Sequence, residues 1–222
     1  MKARPIIFNG PMVRAILNGR KTQTRRIVKP QPLCGICPCC YTKTGWAEVL
    51  SEGACQCTTA PVRCPYGTIG DRLWVRETFA DLRGIGFGDE FAYREKSLKD
   101  YNDGRGLVED GDSERCRFDY GVKWTPSIHM PRCASRITLE ITNVRVERLQ
   151  DISEEDAVAE GVTIPRQFLG FDSDNQGIEN HNGDMAPSDV FRELWQSING
   201  PDSWAANPWV WAVEFERVPN DH

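Results

Sequence analysis

Hydrophobic and polar positions along the chain alternate between two periods, and the changes of period mark out the elements. Met12, Val13, Ile16 and Leu17 form one apolar face at helical spacing. Pro11 suits the first turn of that helix, where its missing N–H would lack a partner anyway, and Gly19 supplies the stop. Ile6–Phe8 reads as a short strand before it. Arg72-Leu73-Trp74-Val75-Arg76-Glu77 is a strand by its β-branched and aromatic content, with Leu73, Val75 and Glu77 on one face. Arg136–Leu149 is the strongest strand pattern. Ile137, Leu139 and Ile141 alternate, and the phase then slips at Thr142-Asn143, so that Val144 and Val146 follow the other parity. Such a slip predicts a bulge or sharp bend, as a small curved barrel requires.

Ser153 followed by Glu154, Glu155 and Asp156 predicts a capped helix with an acidic first turn, ending at Glu160-Gly161. Ser188 is placed to cap a second helix whose Phe191, Leu194, Trp195 and Ile198 recur at i, i+3, i+4 and i+7, a core stripe closed by Asn199-Gly200. Pro208–Arg217 reads as a closing strand, with Trp209, Trp211, Val213 and Phe215 on one face and Val210, Ala212, Glu214 and Glu216 on the other. Together these elements suit one α+β domain over 1–222 with insertions, or one domain plus a small module.

Three stretches interrupt the pattern. Residues 33–64 are rich in cysteine; 81–123 and 163–187 are polar, Gly-rich insertions, the first relieved by a strand-like Phe91-Ala92-Tyr93-Arg94. Nine cysteines with no secretory leader disfavour a disulfide framework, and six of them fall within 34–57. Cys34, Cys37, Cys39 and Cys40 make overlapping Cys-x-x-Cys pairs, and Cys55 and Cys57 follow a turn at Ser51-Glu52-Gly53. Cysteine pairs flanking a hairpin suit a tetrahedral structural zinc site built from four of the six. A redox-inert cysteine-rich loop is the alternative.

Charge sharpens the picture. The chain has 27 Lys and Arg against 32 Asp and Glu, a net charge of −5, which argues against a general nucleic-acid coat protein. Residues 1–47 nevertheless carry nine basic residues and no acidic one. A basic end on an acidic body focuses an anionic ligand on one place. Ile6–Phe8 is too short for a leader, and no segment nears the roughly 18 apolar residues of a membrane span, so a soluble, cytoplasmic protein is expected.

The candidate chemistry begins at Gly19-Arg20-Lys21-Thr22-Gln23-Thr24-Arg25-Arg26, a basic run leaving a helix corner. Lys21 and Thr24 place an amine and a hydroxyl three residues apart. Arg20, Lys21, Arg25, Arg26 and Arg132 are candidates to grip phosphate, and aromatic side chains to stack on bases. The plainer alternative is a solvated run that complements the helix dipole. Glu77, on an apolar strand face, must be paired or change its ionisation. His129, in the Pro-punctuated loop Trp124–Arg132, is a candidate ligand or proton-transfer group. Glu160 sits in the last turn of its helix, where the dipole disfavours a carboxylate.

The order of these elements, with Gly-Arg-Lys-Thr-x-Thr-x-Arg after the first helix, resembles the ASCH domain, a small β-barrel related to the PUA domains of RNA-modifying proteins. The stretches RPIIFNGPMVRAILNGRKTQTRR, CPYGTIGDRLWVRETF and NPWVW, and most of 126–161, resemble ASCH proteins of bacteriophages and prophages. The resemblance covers most of the chain outside the cysteine segment and the two insertions. It implies an RNA or modified-nucleoside partner in a bacterial cell and no organic cofactor. Small bacterial relatives include an amidohydrolase that removes the acyl group from N-acetylated cytidine. Carried over by position, Lys21 would be the proton acceptor, Thr24 the nucleophile and Glu160 the proton donor. A non-catalytic RNA-binding module, a ribonuclease and a phage accessory protein making protein contacts are the other activities in view. This chain is about twice the length of the minimal enzyme, so its insertions bear on any pocket.

Overall fold

The computed structural model describes residues 1–29, 31, 63–83, 91–95, 123–163, 168–171, 177–179 and 186–219. The six cysteines proposed for zinc lie outside these residues, as do 84–90, 96–122 and most of 163–187.

In chain order the elements are β1 (Ala3–Ile7), α1 (Gly10–Leu17), β2 (Gln23–Ile27), β3 (Arg72–Arg76), β4 (Phe79–Asp81), β5 (Phe91–Tyr93), β6 (Thr138–Arg148), α2 (Glu154–Ala159), β7 (Phe168–Phe171), β8 (Gly177–Glu179), α3 (Pro187–Asn199) and β9 (Trp209–Val218). Short 3₁₀ turns at Ser127–His129, Arg132–Ala134, Leu149–Asp151 and Pro201–Ser203 link them. The architecture is α+β. Its main sheet has five strands in the order β1-β3-β6-β9-β2. β1 runs parallel to β3, with Ala3 opposite Arg72 and Ile7 opposite Arg76, and β3 runs antiparallel to β6, with Leu73 opposite Leu139. The expected closed barrel is not what forms. Closure requires the end strands to pair, and among the described residues β1 and β2 end the sheet as separate edges.

The chain divides into two compact units, residues 1–22, 62–144 and 213–222 in the first and 23–61 and 145–212 in the second. β6 and β9 each contribute to both. Across the phase slip at Thr142-Asn143, β6 runs as one strand from Thr138 to Arg148.

In the first unit, α1 starts where Asn9 accepts the Met12 N–H at 3.0 Å, with proline in its first turn. Gly19 takes a left-handed φ of +71° and turns the chain out of the helix. Val13, Ala15 and Ile16 are buried, as are Ile6, Phe8, Leu73, Val75, Ile137, Leu139, Ile141, Val213 and Phe215. The Phe8 and Phe215 rings lie 6.1 Å apart. Each such side chain, fully withdrawn from water, contributes about 1.5–3 kcal/mol. β4 and β5 pair as a hairpin that buries Ala80, Leu82 and Ala92, so part of the polar stretch 81–123 is structured.

In the second unit, Leu149, Ile152, Ala157, Phe191, Trp195 and Val210 form one cluster. Val210 and Ala212 lie on the face of the closing strand that they share with Glu214 and Glu216. Both are fully buried, so this part of β9 is covered on both faces. Ser153 caps α2 as expected, accepting the Asp156 N–H at 3.1 Å. Ser188 does not cap α3. Its N–H and hydroxyl both donate to the Glu154 carboxylate, at 2.9 and 2.6 Å, so the negative charge from α2 meets the positive end of α3 and replaces the serine cap.

Candidate active site around the basic segment

The basic segment is pinned at both ends. The Arg20 and Lys21 N–H groups donate to the Ala15 carbonyl at 2.9 and 3.1 Å, tying the chain to the C-terminus of α1, and the Phe215 N–H donates to Thr22 O at 2.8 Å. From Gln23 onward the run is not a loop but strand β2. Its pattern hid this, because one face of the strand is polar yet buried.

Within the first unit, Lys21 is 2% exposed, and its Nζ lies 5.7 Å from the centroid of the Phe8 ring, within cation–π range. Glu77 is also 2% exposed and continues the buried face of β3, as the alternation of Leu73 and Val75 requires. Its carboxylate is held by both ends of the Arg136 guanidinium, at 2.9 and 3.0 Å. Arg136 lies 4.2 Å over the Tyr93 ring, and the Tyr93 hydroxyl donates to Ala134 O at 2.9 Å. Glu77 is therefore paired inside the unit and does not face an open surface. Arg20, His129 and Arg132 are exposed, the last two on consecutive 3₁₀ turns.

Within the second unit, Thr24 is 2% exposed. Arg26 is half-buried. Arg25 departs most from the expected role of phosphate grip. Its side chain is wholly buried and surrounded by carboxylates: Glu147, Asp156 at 2.7 Å and Glu160 at 3.3 Å. Its guanidinium also lies 5.9 Å from the Phe191 ring. Arg145 completes the cluster, reaching Glu147 at 2.9 Å and Asp156 at 2.5 Å. Gln23 shares the face of Arg25, two residues before it. With its carboxamide oxygen toward the guanidinium groups, it accepts from Arg25 at 2.8 and 3.2 Å and from Arg145 at 3.0 Å, and donates to Asp156 at 3.0 Å.

Electrostatics follow from this packing. Burial would raise the Asp156 carboxyl, but hydrogen bonds and charge from Arg145 and Arg25 hold it below the usual range. Burial likewise works against the charge on Arg145, and Glu147 and Asp156 more than reverse the effect.

Glu160, at the C-cap of α2 and 3% exposed, thus reaches β2 across 135 positions of sequence. Its placement against the helix dipole has a local compensation in the Arg25 guanidinium. The structure brings together Arg25 and Glu160, and it buries Lys21, Thr24 and Glu77 in their own units. It leaves Arg20, His129 and Arg132 on the surface. Sequence reasoning missed Gln23, Arg145, Glu147 and Asp156. The i, i+2 spacing of Gln23 and Arg25 was the available signal, readable once 23–27 is recognised as a strand.

No group of three or more His, Cys, Asp or Glu suited to a metal occurs among the described residues, and no described helix is long and apolar enough to cross a membrane. Comparison of the chain with protein-family models, with curated proteins and with solved structures gives no match.

Proposed function

We propose that this chain is an ASCH-type, PUA-related protein that hydrolyses the amide of an N-acylated cytidine or a similar modified nucleoside. One observation carries the reading: Lys21, Thr24 and Glu160 are each 2–3% exposed. Lysine and glutamate are almost never fully buried unless paired; Glu160 is paired with Arg25, and a lysine withdrawn from water is the kind that can serve as a base. A surface grip on phosphate needs its cations exposed, and Lys21 and Arg25 are not.

In the proposed reaction the Thr24 hydroxyl oxygen attacks the acyl carbonyl carbon and its proton passes to the Lys21 amine. The tetrahedral intermediate collapses with cleavage of the C–N bond, and Glu160 delivers a proton to the departing exocyclic amine. Water then attacks the threonyl ester, losing a proton to the carboxylate of Glu160, and the threonine oxygen leaves with the proton held by Lys21. Atoms and charges balance over the two halves: amide and water become amine and carboxylic acid. Arg20 and Arg132, both exposed, would meet a phosphate on the substrate.

The test is turnover of N4-acetylcytidine and its nucleotide by the purified protein. Lys21→Ala, Thr24→Ala and Glu160→Gln are each expected to lower kcat at least about a hundredfold. Absence of turnover on any N-acylated nucleoside, together with RNA binding that weakens steeply with salt, would replace this reading with that of a binding module.

A further inference from the structure

We infer that Arg25 is a positioning residue for Glu160, and that Gln23, Glu147, Asp156 and Arg145 form the frame that keeps the Arg25 guanidinium in place. The inference rests on the hydrolase reading and extends it to residues that reading does not use.

Glu160 closes α2 and turns its carboxylate toward β2. It follows the last residue of a six-residue helix, and its backbone N–H is satisfied by Asp156 O at 2.9 Å, which fixes the main chain but not the carboxylate. In the second unit, Arg25 Nη1 donates to Glu160 Oε1 at 3.3 Å. Arg25 is in turn unable to swing away. Nη2 is held by Glu147 and by Asp156, and both terminal nitrogens face the Gln23 carboxamide oxygen. The strand supplies Gln23 and Arg25 from one face, and the second half of β6 supplies Arg145 and Glu147, again two apart. Strands β2 and β6 and helix α2 therefore supply every group in the frame. A guanidinium is suited to this task, because its planar fork binds several oxygens in fixed directions, which the single ammonium of a lysine does not.

The arrangement is also costly unless it serves something. A buried ion cluster contributes little net stability relative to apolar side chains of the same volume. Holding a proton-transferring carboxylate to within a fraction of an ångström is a use that apolar packing does not fulfil, since a misplacement of about 1 Å costs roughly a hundredfold in rate.

The experiment compares Arg25→Lys, Glu160→Gln and the double variant on two substrates. One is N4-acetylcytidine, whose amine leaves only when protonated. The other is 4-nitrophenyl acetate, whose leaving group departs without a proton. Arg25→Lys is expected to lower kcat on the amide about a hundredfold, with KM changed less than about threefold. The double variant is expected to be no slower than Glu160→Gln alone, because both changes remove one function. On the activated ester, read as the pre-steady-state burst of nitrophenolate that reports acylation alone, the loss in both single variants shrinks to less than about tenfold, whereas Thr24→Ala gives no burst. A purely structural role for Arg25 would depress both substrates alike. Should Arg25→Lys fail to fold, Glu147→Gln loosens the same guanidinium from its far side and is expected to show the same amide-selective loss. Wild-type protein that hydrolyses the amide while Arg25→Lys does so equally fast, or effects that multiply in the double variant, would overturn the positioning role alone. Wild-type protein inactive on the amide would overturn it together with the hydrolase reading.

Discussion

Asp156 holds more than one part of the second unit together. Its backbone N–H is the donor that Ser153 caps, and its carboxylate receives Arg25, Arg145 and, in the orientation that satisfies both groups, the Gln23 amide. Because the folded state holds this carboxyl below its unfolded value, its contribution is fully present above the unfolded pKa near 3.9 and is lost as pH falls through the folded value. The melting temperature is therefore expected to decline below about pH 4. Asp156→Asn should start lower at pH 7 and lose less between pH 5 and 3; parallel declines in the two proteins would show that Asp156 is not the group responsible. Glu77 illustrates how far single residues could be read in advance. Its place on the face of Leu73 and Val75 required that, if buried, it be paired or change its ionisation. Its partner, Arg136, lies 59 positions away, and no spacing rule points to it.

At the scale of elements, the periodic segments form where the pattern put them: α1, β3, β6, α2, α3 and β9 all cover the expected stretches. β2 was hidden because strand recognition rests on apolar alternation, and its buried face carries Gln23 and Arg25 instead. The cap of α3 was misplaced for a related reason. Ser188 is a good cap by local rules, but the Glu154 carboxylate reaches both of its donors from α2. Glu154→Ala is expected to lower unfolding free energy in urea by about 1 kcal/mol, as loss of a helix cap does. Glu155→Ala, in the same helical turn but without that contact, should cost less than half as much; equal effects would show that only the charge near α2 matters.

For the whole molecule, the expectation that remains open to direct measurement is metal. The spacing of Cys34, Cys37, Cys39, Cys40, Cys55 and Cys57 calls for about one zinc per chain, bound by four thiolates. Metal analysis of purified protein is expected to find it, and removal with a strong chelator to release it with uptake of protons by the freed thiolates. Less than about half an equivalent of zinc in protein purified without chelator would sink a stable site.

The sequence by itself determined the α+β class, the positions of most helices and strands, and the helix corner at Gly19. These follow from periodicity, capping and backbone freedom, which act between residues a few positions apart. Tertiary structure decided that the main sheet stays open, that β9 is covered on both faces over Val210–Val213, and that Arg25 turns inward to carboxylates. Each depends on which distant group fills the space beside a residue. The basic run shows the difference most clearly. Its charge suggested a surface for anions, but Glu147, Asp156 and Glu160, supplied by β6 and α2, provide partners inside the fold and turn one of its arginines into part of the framework.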